Sequence, residues 1–124
     1  MCGGVRYAVH GPLRSVFDCH CIRCRRFTGH HMAATAAPSE QVRFGTALTL
    51  RWFSPDDDPN VAYGFCQTCG SSLFWKVEAD PGNLSIAAGT LDETTGLTTT
   101  QAWWVSTAGD YYRRPDSIVE FETE

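Results

Sequence analysis

The chain has 124 residues, 43% of them hydrophobic, with 10 Lys and Arg against 14 Asp and Glu for a formal charge of −4. That length supports one modest core, so a single domain over 1–124 is expected, and the acidic balance offers no field to hold a phosphate backbone, so nucleic acid is not an expected partner. No charged start with an apolar run precedes Cys2 and no stretch approaches the ~18 apolar residues of a membrane span, which predicts a soluble, cytoplasmic protein with no membrane partner.

Hydrophobic period predicts short strands at 5–9 and 15–18, then a helical turn at 22–27 closed by Thr28 and Gly29. A strand at 32–37 and a second helical turn at 38–41 follow, and further strands are predicted at 48–53, 61–65, 73–77, 84–88, 100–106 and 117–121. Gly and Pro punctuate them at Gly11-Pro12, Ser54-Pro55, Asp58-Pro59, Pro81-Gly82 and Arg114-Pro115. Neither turn reaches the ~12 residues an independent helix wants, so the pattern is all-β. Asp56-Asp57-Asp58-Pro59 reads as a solvated turn, with a hard-cation site as the other reading.

Six cysteines fall in three groups: Cys2, then Cys19, Cys21 and Cys24, then Cys66 and Cys69. C-x-C and C-x2-C spacings bring thiols close enough to share a tetrahedral zinc, whereas disulfides between such near neighbours close strained rings; three disulfides are the alternative. On an extended segment Cys19 and Cys21 project to one side, and the chain turns through Ile22 and Arg23 to return Cys24 to them. His20 then points to the opposite face, which leaves a zinc with three protein ligands and an open position, the pattern of a reactive site. Cys66-Gln67-Thr68-Cys69-Gly70 is a zinc-knuckle turn that needs two more ligands, and Cys2 is the one thiol left over.

The motifs Cys2-Gly3-Gly4-Val5-Arg6-Tyr7, Asp18 to Gly29, Gly64 to Phe74 and Ala88-Gly89-Thr90-Leu91-Asp92 resemble, in order, those of the glutathione-dependent formaldehyde-activating enzyme family, whose domain is shared with centromere protein V. The resemblance implies an Mss4-like β-tent of short antiparallel strands stapled by zinc. It assigns Cys2, Cys66 and Cys69 to a structural zinc and Cys19, Cys21 and Cys24 to the zinc linked to activity. Family members carry C-x-C-G at the first strand, so the partner of Cys2 would fall just before Met1. Either the true start lies upstream, or the Met1 α-amine, water or another side chain completes that shell. Many family members also have His where this chain has Trp103, so a polar role at that position is lost here.

The activity implied is that of a carbon–sulfur lyase joining a glutathione-type thiol to a small aldehyde, with glutathione and formaldehyde as the reference pair and Zn²⁺ as cofactor. A three-cysteine zinc keeps a net negative charge, which suits thiol chemistry better than activation of water. Arg25 and Arg26 are the expected partners of the thiol's carboxylates, a solvated basic face being the alternative. His20 is weighed as a base or hydrogen-bond donor against a loop-orienting or solvent-facing residue, and His30 and His31 as metal ligands; His10 reads as a surface turn residue. Trp52, Trp75, Trp103, Trp104, Tyr111 and Tyr112 either wall an apolar pocket or form core. Two rival functions stay open: a non-catalytic zinc-stabilised binding module or thiol and aldehyde carrier, and a redox sensor built on Cys19 to Cys24.

Overall fold

The computed structural model describes residues 1–123, so Glu124, the last residue of the predicted domain, lies outside the described residues. Ten strands carry most of the chain: β1 (Arg6–Val9), β2 (Val16–Cys19), β3 (Met32–Pro38), β4 (Val42–Thr46), β5 (Leu50–Phe53), β6 (Val61–Cys66), β7 (Ser72–Val77), β8 (Asn83–Ala87), β9 (Thr99–Trp103) and β10 (Val119–Phe121). One helix, α1 (Ile22–Thr28), stands where it was predicted and ends on Gly29 at φ 79°, whose N–H bonds the Arg25 carbonyl. Short 3₁₀ turns occupy Ser39–Gln41, Ala88–Thr90 and Val105–Thr107.

Two sheets form, a two-stranded β1–β4 pair and an eight-stranded sheet in the order β10-β9-β2-β3-β8-β7-β6-β5. The expectation of antiparallel strands is corrected at one end: β2 pairs β9, and β9 pairs β10, in parallel. Parallel neighbours need long crossovers, and nothing in a strand's own residues announces them. β4 is also an addition, since the sequence reading placed no strand there. It is legible only as the partner of β1, because a two-stranded ribbon is marginal until something packs on it. The predicted strand at 100–106 stops at Trp103, where Trp104 turns into the left-handed region at φ 61°.

Alternation along the strands divides the core between the two faces of the large sheet. On one face Phe74, Ile86, Leu84, Ala37 and Cys66 pack with Val42 and, less deeply, Tyr7 and Val9 of the small sheet. On the other, Met32, Ala34, Val61 and Tyr63 pack with Cys24 and Phe27 of α1. Neighbouring Phe74 and Trp75 therefore face different clusters, and the two cysteine groups are separated in the same way.

Gly64 sits between Trp52 and Phe74 across the sheet. A Cβ there would lie 3.0 Å from two Trp52 ring atoms and 3.1 Å from Phe74 Cβ. Gly64→Ala is therefore expected to cost roughly 1–3 kcal/mol by overpacking, measured as a lower urea midpoint at unchanged slope. A midpoint at or above that of the parent would mean that the indole yields freely.

Among the described residues no helix is long and apolar enough to cross a membrane.

Candidate metal centre

All six cysteines are free, and their sulfurs gather into two triads, in each of which they lie within 4.8 Å of one another. The edge of a tetrahedron of sulfurs around zinc at ~2.3 Å is about 3.8 Å, so both triads fit that ion by spacing.

The first triad is local. β2 delivers Cys19 as its last residue, Cys21 caps α1 by accepting the Cys24 N–H at 3.3 Å, and the first turn of α1 carries Cys24. Cys21 is pulled down to about 2, first by the hydrogen bond from Cys19 and then by that from Cys24. Cys19 is pushed up to about 12, first by its hydrogen bond with Cys21, and Cys24 is raised by its contacts with Cys19 and Cys21. The shifts run in opposite directions because the three thiols crowd one another, so that ionisation of one opposes ionisation of the others. A dication is what allows all three to ionise together, so the donor set fits zinc in chemistry as well as spacing.

The second triad is long-range. Cys2 Sγ lies 3.5 Å from Cys66 Sγ although 64 positions separate them. Cys66 ends β6, and Gly70 at φ 74° lets the turn fold back so that its N–H reaches the Cys66 carbonyl at 2.8 Å. Thr49 Oγ1 lies 3.1 Å from Cys66 Sγ and Ser71 Oγ lies 3.3 Å from Cys69 Sγ. The Ser71 hydroxyl and then its amide hold Cys69 down at about 6, while the Thr49 hydroxyl leads in lowering Cys66. Neither hydroxyl is part of the zinc-knuckle pattern read from the sequence; Ser71 follows Gly70 directly and is findable there, whereas Thr49 arrives from the connection between β4 and β5.

A cavity of about 600 Å³ opens on the first triad alone: Cys19, Cys21 and Cys24 line it, and Cys2, Cys66 and Cys69 do not. Five aromatic side chains, Phe17, Tyr63, Trp75, Trp103 and Trp104, line it together with the aliphatic Ile22, Met32 and Val61. Trp103 is braced by Phe121 at 4.8 Å and by a hydrogen bond from its Nε1 to Gln101 Oε1 at 2.9 Å. Trp52, by contrast, stacks on Phe74 at the other face while remaining exposed, so it neither lines the cavity nor joins the buried core.

Neither Arg25 nor Arg26 lines this cavity. Arg25 points elsewhere, donating from Nη1 to the Thr107 carbonyl at 2.6 Å with its guanidinium 5.9 Å from the Tyr111 ring centre. The cations that do line it are Arg14 and Arg23, the latter paired with Asp57 and Asp58 at 2.9 Å each. The acidic turn thus carries a clamp on α1. Its tie to Arg23, 34 and 35 positions upstream of Asp57 and Asp58, is not visible from composition.

His20 joins neither triad and is fully buried, which overturns a solvent-facing role. Its Nδ1 shares a hydrogen bond with the Tyr112 hydroxyl, its ring stacks on Tyr112, and burial holds it down at about 4, hence neutral at pH 7. His31 Nε2 sits 3.6 Å from Asp18, and His30 and His31 pack against Tyr112 rather than reaching the sulfurs. His10 is exposed, as predicted.

Fold and site together define a mostly β protein with two cysteine triads able to hold metal, one of them facing an aromatic cavity. The chain belongs to the glutathione-dependent formaldehyde-activating enzyme family, whose profile matches residues 1–107. Among solved structures, a crystal structure of a Rhodobacter sphaeroides protein from structural genomics is similar, with 23% identity over 77% of this chain and 86% of that one and a TM-score of 0.61. That likeness supports the fold alone. No curated protein matches the chain.

Proposed function

We propose that the whole chain, acting as one domain with an Mss4-like β-tent architecture, is a zinc-dependent carbon–sulfur lyase that joins a glutathione-type thiol to an aldehyde at Cys19, Cys21 and Cys24. The observation that carries this reading is the asymmetry of the triads: one lines a cavity, the other is held away from it among hydroxyls and amides. We assign zinc to both, structural at Cys2, Cys66 and Cys69. Cys19, Cys21 and Cys24 would hold the zinc at the cavity, where it would supply Lewis acidity that lowers the pKa of a substrate thiol.

The chain's own residues do the rest. Three cysteine sulfurs leave the centre with a net negative charge, which disfavours hydroxide and keeps a soft thiolate nucleophilic. The aromatic wall excludes water and holds the carbonyl carbon against the sulfur, so that a bimolecular addition proceeds within one cavity. We assign the thiol's carboxylates to Arg14 and Arg23, the two arginines that line the cavity, in place of Arg25 and Arg26, which do not. A reducing cytoplasm suits six free thiols.

Cys19→Ser tests the reading. Thiol-dependent consumption of aldehyde by zinc-loaded protein should fall on the order of 100-fold or more, the scale on which losing a group that stabilises developing charge is felt, with only a small drop in melting temperature. Loss of stability as large as that of Cys66→Ser, with no turnover in the parent, would favour a purely structural module. Disulfide formation with zinc release under mild peroxide would favour a redox sensor.

A further inference from the structure

We infer that the aldehyde accepted at this site carries an apolar body about the size of an aromatic ring, seated between Phe17, Trp75, Trp103 and Trp104, and that formaldehyde is not the preferred partner. The inference rests on the thiol–aldehyde reading above and deepens it.

Three observations converge. The cavity, at about 600 Å³, lies in the range that encloses a drug-sized ligand, and a one-carbon aldehyde would leave most of it empty. A peptide thiol does not suit the remaining space, because its amides and carboxylates need polar partners that an aromatic wall does not provide. The polar groups are at hand elsewhere: Arg23 is bound to Asp57 and Asp58, and Arg14 is solvent-exposed, with its guanidinium 4.3 Å over the Phe17 ring. The thiol's peptide portion therefore belongs at that rim, and the aromatic wall is left to the aldehyde.

The third observation is backbone strain. Trp104 is the one non-glycine residue with positive φ among those described, at φ 61° and ψ 40°. A bulky side chain in that region costs on the order of 1–3 kcal/mol and persists only where its surroundings hold it. They do so here: the Thr107 N–H and hydroxyl both donate to the Trp104 carbonyl, at 3.1 and 3.2 Å, and the same hydroxyl lies 3.2 Å from the His20 carbonyl. Asn or Gly would adopt this conformation more easily, and neither would supply an indole to the cavity. Trp103 beside it continues the apolar wall at the position where the family resemblance anticipated a histidine.

The reaction balances without any further reagent. The thiol sulfur forms a bond to the carbonyl carbon, the carbon–oxygen π bond opens, and the S–H proton ends on that oxygen, so that RSH and R′CHO give RSCH(OH)R′.

The test separates binding from turnover in zinc-loaded protein. Acetophenone and acetone, unreactive carbonyl probes with and without a ring, are titrated by saturation-transfer NMR. Acetophenone is expected to bind at least about tenfold more tightly, the worth of one desolvated aromatic contact. Trp104→Ala should erase that preference and Trp104→Phe should retain much of it, with acetone unchanged in both. Equal binding of the two probes by the parent overturns the inference, whether or not any variant folds, and so does full acetophenone affinity in a folded Trp104→Ala. Turnover then distinguishes the two levels: benzaldehyde should exceed formaldehyde in thiol-dependent kcat/KM. Formaldehyde turned over at least as well as benzaldehyde sinks this inference and leaves the lyase reading standing. Ring-selective binding with no thiol-dependent turnover of either aldehyde sinks the lyase reading and leaves the pocket's preference standing.

Discussion

Cys66→Ser should lower the melting temperature on the order of 20 °C, or abolish cooperative unfolding, because roughly 1 kcal/mol corresponds to about 4 °C in a chain of this size. The argument is one of loop closure. An ion shared by Cys2 and Cys66 would tie positions 64 apart, and a cross-link over that span would remove about 4 kcal/mol of unfolded-chain entropy, against about 2 kcal/mol for Cys19 and Cys24, five positions apart. Cys66 is also buried in the cluster beneath the small sheet, with Thr49 Oγ1 at its sulfur, so a serine there loses ligand, packing and hydroxyl partner together. Stripping metal with a strong chelator should reproduce the effect in the parent, since binding energy at such a site is folding energy. Differential scanning calorimetry of parent, Cys19→Ser and Cys66→Ser decides the matter. A Cys66→Ser transition within a few degrees of the parent, or one no lower than that of Cys19→Ser, would remove the structural role from the long-range triad.

Phe74→Ala comes next in size. Its ring is fully buried and meets Tyr7 edge-on at 5.0 Å, Phe44 at 5.7 Å and Trp52 at 6.1 Å, so it joins the small sheet to the large one. Truncation leaves a cavity bounded by strands from both sheets that cannot collapse independently, and the expected loss is about 3–5 kcal/mol. Leu48→Ala, 82% exposed, is the matched control and should change stability little. Chemical denaturation of the two variants side by side is the measurement. A Phe74→Ala loss below about 1 kcal/mol would mean that the sheets are held together by something other than this ring.

Much of the candidate site was legible because its determinants are local. Cys19, Cys21 and Cys24 reach one another through a strand end and a single helical turn, and Cys69 reaches Cys66 through one glycine turn. Residues two and three positions apart meet wherever the rest of the chain goes. The pairing of Cys2 with Cys66 follows from no spacing: Cys2 is the thiol left over from the two groups, and the motif resemblance assigns it to this site. The arginines show the opposite case. Arg25 and Arg26 were chosen for nearness in sequence to the triad, but on a helix successive side chains leave on different sides, and the turn that carries Cys24 inward carries Arg25 to Thr107. Arg23, inside the triad's own turn, and Arg14, five positions before Cys19, reach the cavity instead, so direction along the backbone and not nearness in sequence decides which arginine faces it.

By itself the sequence determined the β character, the one helical turn closed by Gly29, the two groups of thiols and the family. These depend on alternation, on a glycine's freedom at positive φ and on short-range thiol geometry, all of which a few consecutive residues dictate. Tertiary structure alone decided that β9 runs parallel between β2 and β10, that β4 exists as a partner for β1, that Trp103 and Trp104 line the cavity with Cys19, Cys21 and Cys24 while Trp52 stacks on Phe74 at the other face, and that of the two triads among the described residues the first lines this cavity. Those outcomes depend on which distant segments share an interface, and a segment's own residues specify which face is apolar without specifying what covers it.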